Sequence, residues 1–173
     1  MRNVAGVMVA AVTAVGWFAS PAFADLVSGT LTRTFVIVED TDLIGDVTCD
    51  VASNTACFSF AAPDVELRLN GFSITGRADA TIGCGGTNAN GEAGITTNNM
   101  SRVVIRGPGL VQRFRGDGIT VAGSTNARVE SLTLSTNCMS GVRILGTSFG
   151  TIVEGNLATR NGSAAAGLLC GGI

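Results

Sequence analysis

Set against itself with a shift of 24 residues, the chain repeats. Ile105, Val129 and Val153 fall in one column, and Arg106, Glu130 and Glu154 fall in the next. The same shift superposes Leu110, Leu134 and Ala158, and also Arg113, Asn137 and Asn161. A Gly followed by an aliphatic opens each unit, at Gly94-Ile95, Gly118-Ile119, Gly141-Val142 and Gly167-Leu168; a one-residue slip at the third unit is recovered in the turn that follows. One such unit is too short to bury an apolar face alone, so a core has to come from stacking unit on unit.

Within the units the segments are short and alternate apolar with polar, as in "GITV" at 118–121, "GVRI" at 141–144 and "LRLNGFSI" at 67–74. Period-two alternation broken by Gly, Asn and Ser is the signature of strands and turns. An immunoglobulin-type sandwich also has short alternating strands. It does not require matching columns at a fixed period, whereas stacked coils do. The expectation is an all-β solenoid, with Ile95/Ile119/Val142 and Ile105/Val129/Val153 pointing inward and Asn137 and Asn161 forming an amide ladder about 4.8 Å apart at a turn.

The N-terminus carries Arg2, an apolar run from Val4 to Phe18, and Ala22-Phe23-Ala24. This layout predicts a secretory signal over 1–24 and a mature β domain over 25–173. The apolar run is shorter than the roughly 20 residues of a membrane span, and no later segment is long and apolar enough to be one. Secretion or a periplasmic location follows as the expectation. Without Arg2 the mature chain has ten Arg, no Lys and 13 acidic residues. That balance lacks the basic surface a nucleic-acid binder needs. Five Cys and no His or C-x-x-C spacing favour disulfides over a metal site. Cys49 and Cys57, eight positions apart around a turn-like stretch, are the first expected pair. Cys84 with Cys138 is the weaker second pair, and Cys170 is left over. No cofactor is expected.

The stretch "LRLNGFSITG" at 67–76, preceded by "EDTDLIGDVTCDV" and followed by Gly-anchored units, resembles the bacterial right-handed parallel β-helix repeat proteins of the pectate-lyase-like superfamily. The resemblance covers roughly residues 40–172. It implies a right-handed parallel β-helix of about five coils and points towards acidic polysaccharides as a partner. One departure is Phe72, at a position where such proteins often carry His. The residues 77–92, "RADATIGCGGTNANGE", break the period and read as a loop insertion. "AAAGLLCGGI" begins a further unit and then stops, so the last coil is expected either to continue in a longer product or to be covered by another subunit, as self-association would do.

The chemistry of the family's enzymes does not map onto this chain. Arg102-x-x-x-Arg106-Gly-Pro108 is not the lyase Arg-x-Pro-x-x-Arg element, and the Asp-Asp and Gly-His-Gly elements of polygalacturonases are missing. Two constellations remain. Glu130 and Glu154, one coil apart on an outward face, are the candidate catalytic pair, since neighbouring carboxylates separate into an acid and a base. Arg106 and Arg128 beside them also fit an inert ion-pair ladder. In "RFRGDG", Arg113, Arg115 and Asp117 crowd one turn, with Arg143 on the next coil. This is the candidate site for a carboxylated or sulfated glycan, because guanidinium forks suit such groups. The sequence leaves open whether the protein is an enzyme, a structural or surface-interaction module, or an inactive piece of a longer protein.

Overall fold

The computed structural model describes residues 24–78, 91–162 and 172 of the 173-residue chain. Fifteen strands and no helix occur among them. In order they are β1 (Asp25–Leu31), β2 (Phe35–Ile37), β3 (Thr41–Cys49), β4 (Ala56–Phe60), β5 (Glu66–Arg68), β6 (Ser73–Thr75), β7 (Ala93–Thr96) and β8 (Val104–Arg106). There follow β9 (Leu110–Gln112), β10 (Ile119–Ala122), β11 (Arg128–Glu130), β12 (Thr133–Ser135), β13 (Val142–Leu145), β14 (Ile152–Glu154) and β15 (Leu157–Thr159).

All pairings are parallel, and they build two sheets. The expected right-handed parallel β-helix of about five coils is therefore corrected. A ten-stranded sheet, ordered β14-β11-β8-β5-β3-β6-β9-β12-β15 with β1 also on β3, curls as a half-barrel, and a five-stranded sheet runs β13-β10-β7-β4-β2. The reason lies in β3. β3 is a single nine-residue strand that stays within one sheet, although its register against β1 shifts between Leu43 and Val47. Its first half carries β5 through Thr41 and Asp42, and its second half carries β6 through Val47 and Thr48. One strand, shifted in register at its middle, thus joins two rows of short strands into a single curved sheet.

The sequence period reappears as strand register. Leu67, Ile105, Val129 and Val153 are aligned neighbours across β5, β8, β11 and β14, with Thr41 of β3 heading the row. Phe58, Ile95, Ile119 and Val142 align across β4, β7, β10 and β13. These apolar rows and that of Val47, Ile74, Val111 and Leu134 share one buried cluster between the sheets. One expected column is off by a residue: Leu134 lies beside Val111, and it is Thr133 that lies beside Leu110. The turn Gly107-Pro108-Gly109 between β8 and β9 has one residue more than the turn Ser131-Leu132 between β11 and β12, so a fixed shift of 24 misaligns the strand after it.

The amide ladder forms, with Asn137 Nδ2 donating to Asn161 Oδ1 at 3.0 Å and the Asn137 backbone N–H donating to the same oxygen at 3.0 Å. The ladder continues to the backbone of Phe114, whose N–H donates to Asn137 Oδ1 at 3.2 Å, one residue past the Arg113 that a shift of 24 superposes on Asn137. This ladder explains the repeated Gly. A Cβ at Gly118 would lie 2.7 Å from Asn137 Nδ2, and one at Gly141 would lie 2.9 Å from Asn161 Nδ2. Asn at the buried turn and Gly at the strand start are one steric unit written twice.

Candidate functional site

On the outer surface of the half-barrel, β3, β5, β8, β11 and β14 present one continuous row of charge. Register stacks Asp42, Arg68, Arg106, Glu130 and Glu154 in a single column. Glu66 and Arg128, each two residues earlier on its strand, stand in the adjoining column, because residues i and i+2 share a face. Glu130 is the best-enclosed member, its side chain 9 % exposed. It accepts from Arg106 Nη1 at 2.5 Å and from Arg128 Nε. Arg128 Nη2 reaches on to Glu154 Oε1 at 2.8 Å. Arg106 Nε donates to Glu66, which also accepts from Arg68 Nε at 3.1 Å. Arg68 ends the chain on Asp40 Oδ2 at 2.6 Å and Asp42 Oδ2 at 3.2 Å.

The proposed catalytic pair is therefore adjacent, as the period requires, and it is bridged by Arg128. Hydrogen bonding to Glu66 holds the Arg106 guanidinium above its ordinary pKa, with the charge of the same carboxylate next in weight. Arg128 is raised in the same way, first by its hydrogen bond to Glu130. For Arg68 burial pulls downward, but the hydrogen bond to Asp40 and the charges of Glu66, Asp42 and Asp40 together raise it. A guanidinium held this firmly in its charged form is a fixed counter-ion. Both carboxylates are fixed partners in return, and Glu130 has little exposed surface left for a substrate.

The ladder's first half escaped sequence reasoning. Arg68 and Arg106 are neighbours in register, but they stand 38 residues apart in the chain, because the segment from 77 to 92 interrupts the period. Aligning the inward Leu67 with Ile105 would have placed Glu66-x-Arg68 on one side of β8 and Arg128-x-Glu130 on the other.

The second constellation disperses. Arg113 turns back, its Nε donating to the Ala78 carbonyl at 2.8 Å. Arg115 donates through Nε to Glu92, whose side chain is fully buried, and through Nη2 to Ser53 Oγ at 3.2 Å. Asp117 is buried and accepts from the Ser140 N–H at 2.9 Å and from Thr120 Oγ1 at 3.4 Å. Arg143 Nη1 lies 3.6 Å from Asp117 Oδ2, and its side chain remains 44 % exposed. Of these four residues, only Arg143 offers a loosely engaged charge. Glu92 was not singled out from the sequence; a lone Glu in a Gly- and Asn-rich stretch gives no periodic cue to its burial.

Cys49 and Cys57 form the expected disulfide, with Cα atoms 5.8 Å apart and both residues fully buried. Cys138 is also disulfide-bonded. Cys84 and Cys170 lie outside the described residues, as do residues 1–23 of the signal expected over 1–24, residues 79–90 of the expected insertion, and most of the C-terminal "AAAGLLCGGI". Among the described residues, no group of three or more His, Cys, Asp or Glu side chains is placed to hold a metal ion, and no helix is long and apolar enough to cross a membrane. No protein-family model matches the chain, and no curated protein or solved structure matches it significantly.

Proposed function

We propose that this is an exported surface-interaction protein whose charged outer face is structural and performs no catalysis. The observation that carries the reading is the engagement of Glu130, enclosed and held by two guanidiniums at once. A general acid or nucleophile has to reach substrate, and a carboxylate with a guanidinium on each oxygen and its side chain 9 % exposed offers substrate little access. Interaction is supported by exposed apolar side chains on and beside the last strands of each row: Leu145 37 %, Phe149 72 %, Ile152 42 % and Leu157 61 %. Apolar exposure on the terminal strands of both sheets leaves their edges available for contact. Export is supported by the signal-like residues 1–24 and by the Cys49–Cys57 bridge, which is consistent with an extracellular or periplasmic location.

The test is incubation of the purified protein with polygalacturonate and with a sulfated polymer, assaying new reducing ends and unsaturated products. No turnover is expected. Cleavage that is lost in a folded Glu130→Gln variant would overturn the reading and make the pair catalytic. A second reading, an acidic glycan held without turnover, is favoured by Arg143 alone, since its charge is half-exposed and loosely paired. It requires binding that weakens with salt and falls in Arg143→Ala.

A further inference from the structure

The loop between β3 and β4 is closed at its base by Cys49–Cys57, and its polar groups are spent on two arginines from elsewhere in the chain. Arg77 Nη1 donates to Asp50 Oδ1 at 2.7 Å, and Nη2 donates to the Val51 carbonyl at 2.8 Å. Arg115 Nη2 donates to Ser53 Oγ at 3.2 Å while its Nε holds Glu92. The Arg77 backbone N–H, 3.3 Å from Glu92 Oε1, is the carboxylate's other donor. Three segments remote in sequence thus meet over one buried carboxylate. A buried carboxylate without partners is costly, so whatever fixes the two arginines fixes Glu92.

We propose that the Cys49–Cys57 loop is a redox-released latch: closed, residues 50–53 hold the guanidiniums of Arg77 and Arg115 and with them the seat of Glu92, and a dithiol that opens the disulfide unlatches that corner. The step balances. A thiolate of the dithiol attacks one protein sulfur to give a mixed disulfide, and its second thiol displaces the remaining protein thiol. Cys49 and Cys57 end as thiols and the dithiol as its cyclic disulfide. Both protein sulfurs are buried, so attack follows opening of the loop, and the arginine contacts oppose that opening. Coupling of this kind is reciprocal. Where loop opening is a rapid equilibrium that precedes attack on the buried sulfurs, arginine contacts that favour the closed loop lower the open fraction and with it the rate of reduction.

The experiment treats the full chain with dithiothreitol under native conditions, alkylates at intervals, and maps the peptides carrying Cys49, Cys57 and Cys138. Arg77→Ala should open Cys49–Cys57 at least about fivefold faster than wild type, the lower end of ordinary coupling, with a smaller gain in Ser53→Ala and no change at Cys138. In a second arm, a Cys49→Ser/Cys57→Ser variant is digested with trypsin. Cleavage after Arg77 and Arg115 should rise about tenfold, as expected of a local opening, while cleavage after Arg128 stays at the wild-type rate. Unchanged reduction in Arg77→Ala, or equal acceleration at Cys138, overturns the latch, because the first removes the coupling and the second makes the effect global. Should the double-Cys variant fail to fold, the reduction rates decide alone.

Discussion

Replacing Glu130 by Ala separates a structural carboxylate from a catalytic one through stability alone. Hydrogen bonds to a charged group are worth about 1.5–3 kcal/mol by mutation, and Glu130 receives two of them. The full sum does not apply. Arg106 and Arg128 are 46 % and 43 % exposed, so water and salt screen them, and each keeps a second carboxylate, Glu66 and Glu154 respectively. No charge is orphaned, and the net cost should be near 2 kcal/mol, most of one charged bond plus lost contact over a side chain that is almost enclosed. Glu154, 58 % exposed and with one partner, should cost under about 0.5 kcal/mol on truncation. Urea unfolding followed by circular dichroism measures both, and a shift in midpoint with an unchanged slope assigns the difference to the folded state. An active-site carboxylate held against its own repulsion would give the reverse sign, since removing it relieves strain. A Glu130→Ala protein as stable as wild type, or more stable, would refute the ladder as a structural device.

Three other outcomes can be checked directly. Ile119→Asp buries a carboxylate between Ile95 and Val142 and should cost several kcal/mol, whereas Thr120→Ser, on the opposite face of the same strand and keeping the hydroxyl that meets Asp117, should stay within about 0.5 kcal/mol; equal denaturant midpoints would mean that the inside and outside of β10 are misassigned. Removing the Cys49–Cys57 bridge, which closes a loop of sequence separation 8, should cost about 2.5 kcal/mol by chain entropy, measured as the midpoint difference between wild type and Cys57→Ser. Asp46 is held below the ordinary 3.8 of an aspartate, first by the backbone N–H of Ser73 and then by its hydroxyl. Its contribution to stability is therefore complete above 3.8 and is lost as pH falls through the lower folded value; a carboxyl titration by NMR that places Asp46 at or above 3.8 would contradict that contact.

Side-chain columns were legible because a parallel sheet converts a sequence period into spatial neighbours. Ile105, Val129 and Val153 needed nothing but the shift of 24 to be placed together, and Asn137 above Asn161 followed with them. The architecture was less legible. Nothing in "TDLIGDVTC" marks it as one strand; in the sheet a Cβ on Gly45 would stand 3.0 Å from the Cβ of Ser28 in β1, and the strand continues past a register shift between Leu43 and Val47. Ionic engagement was the least legible of all. Glu92 and Arg115 are 23 residues apart, close to one period, but the pairing depends on where the chain returns after residue 78, and local pattern does not encode that.

The register that makes the columns also brings together the candidate carboxylate pair, Glu130 and Glu154. Parallel stacking sets Arg68 beside Arg106 and Glu130 beside Glu154, two like-charged neighbours that would repel at sheet spacing. In each case the residue two positions earlier on one strand of the pair carries the opposite sign. Glu66 bridges the two arginines, and Arg128 bridges the two glutamates. The motifs Glu-x-Arg and Arg-x-Glu are thus mirror solutions to one problem: a row of outward charges has to survive stacking every few ångströms. A carboxylate dyad kept for chemistry would gain from the repulsion that separates its two pKa values. Here Arg128 engages both carboxylates and offsets that repulsion, which is the geometric ground for the structural role proposed for Glu130 and Glu154.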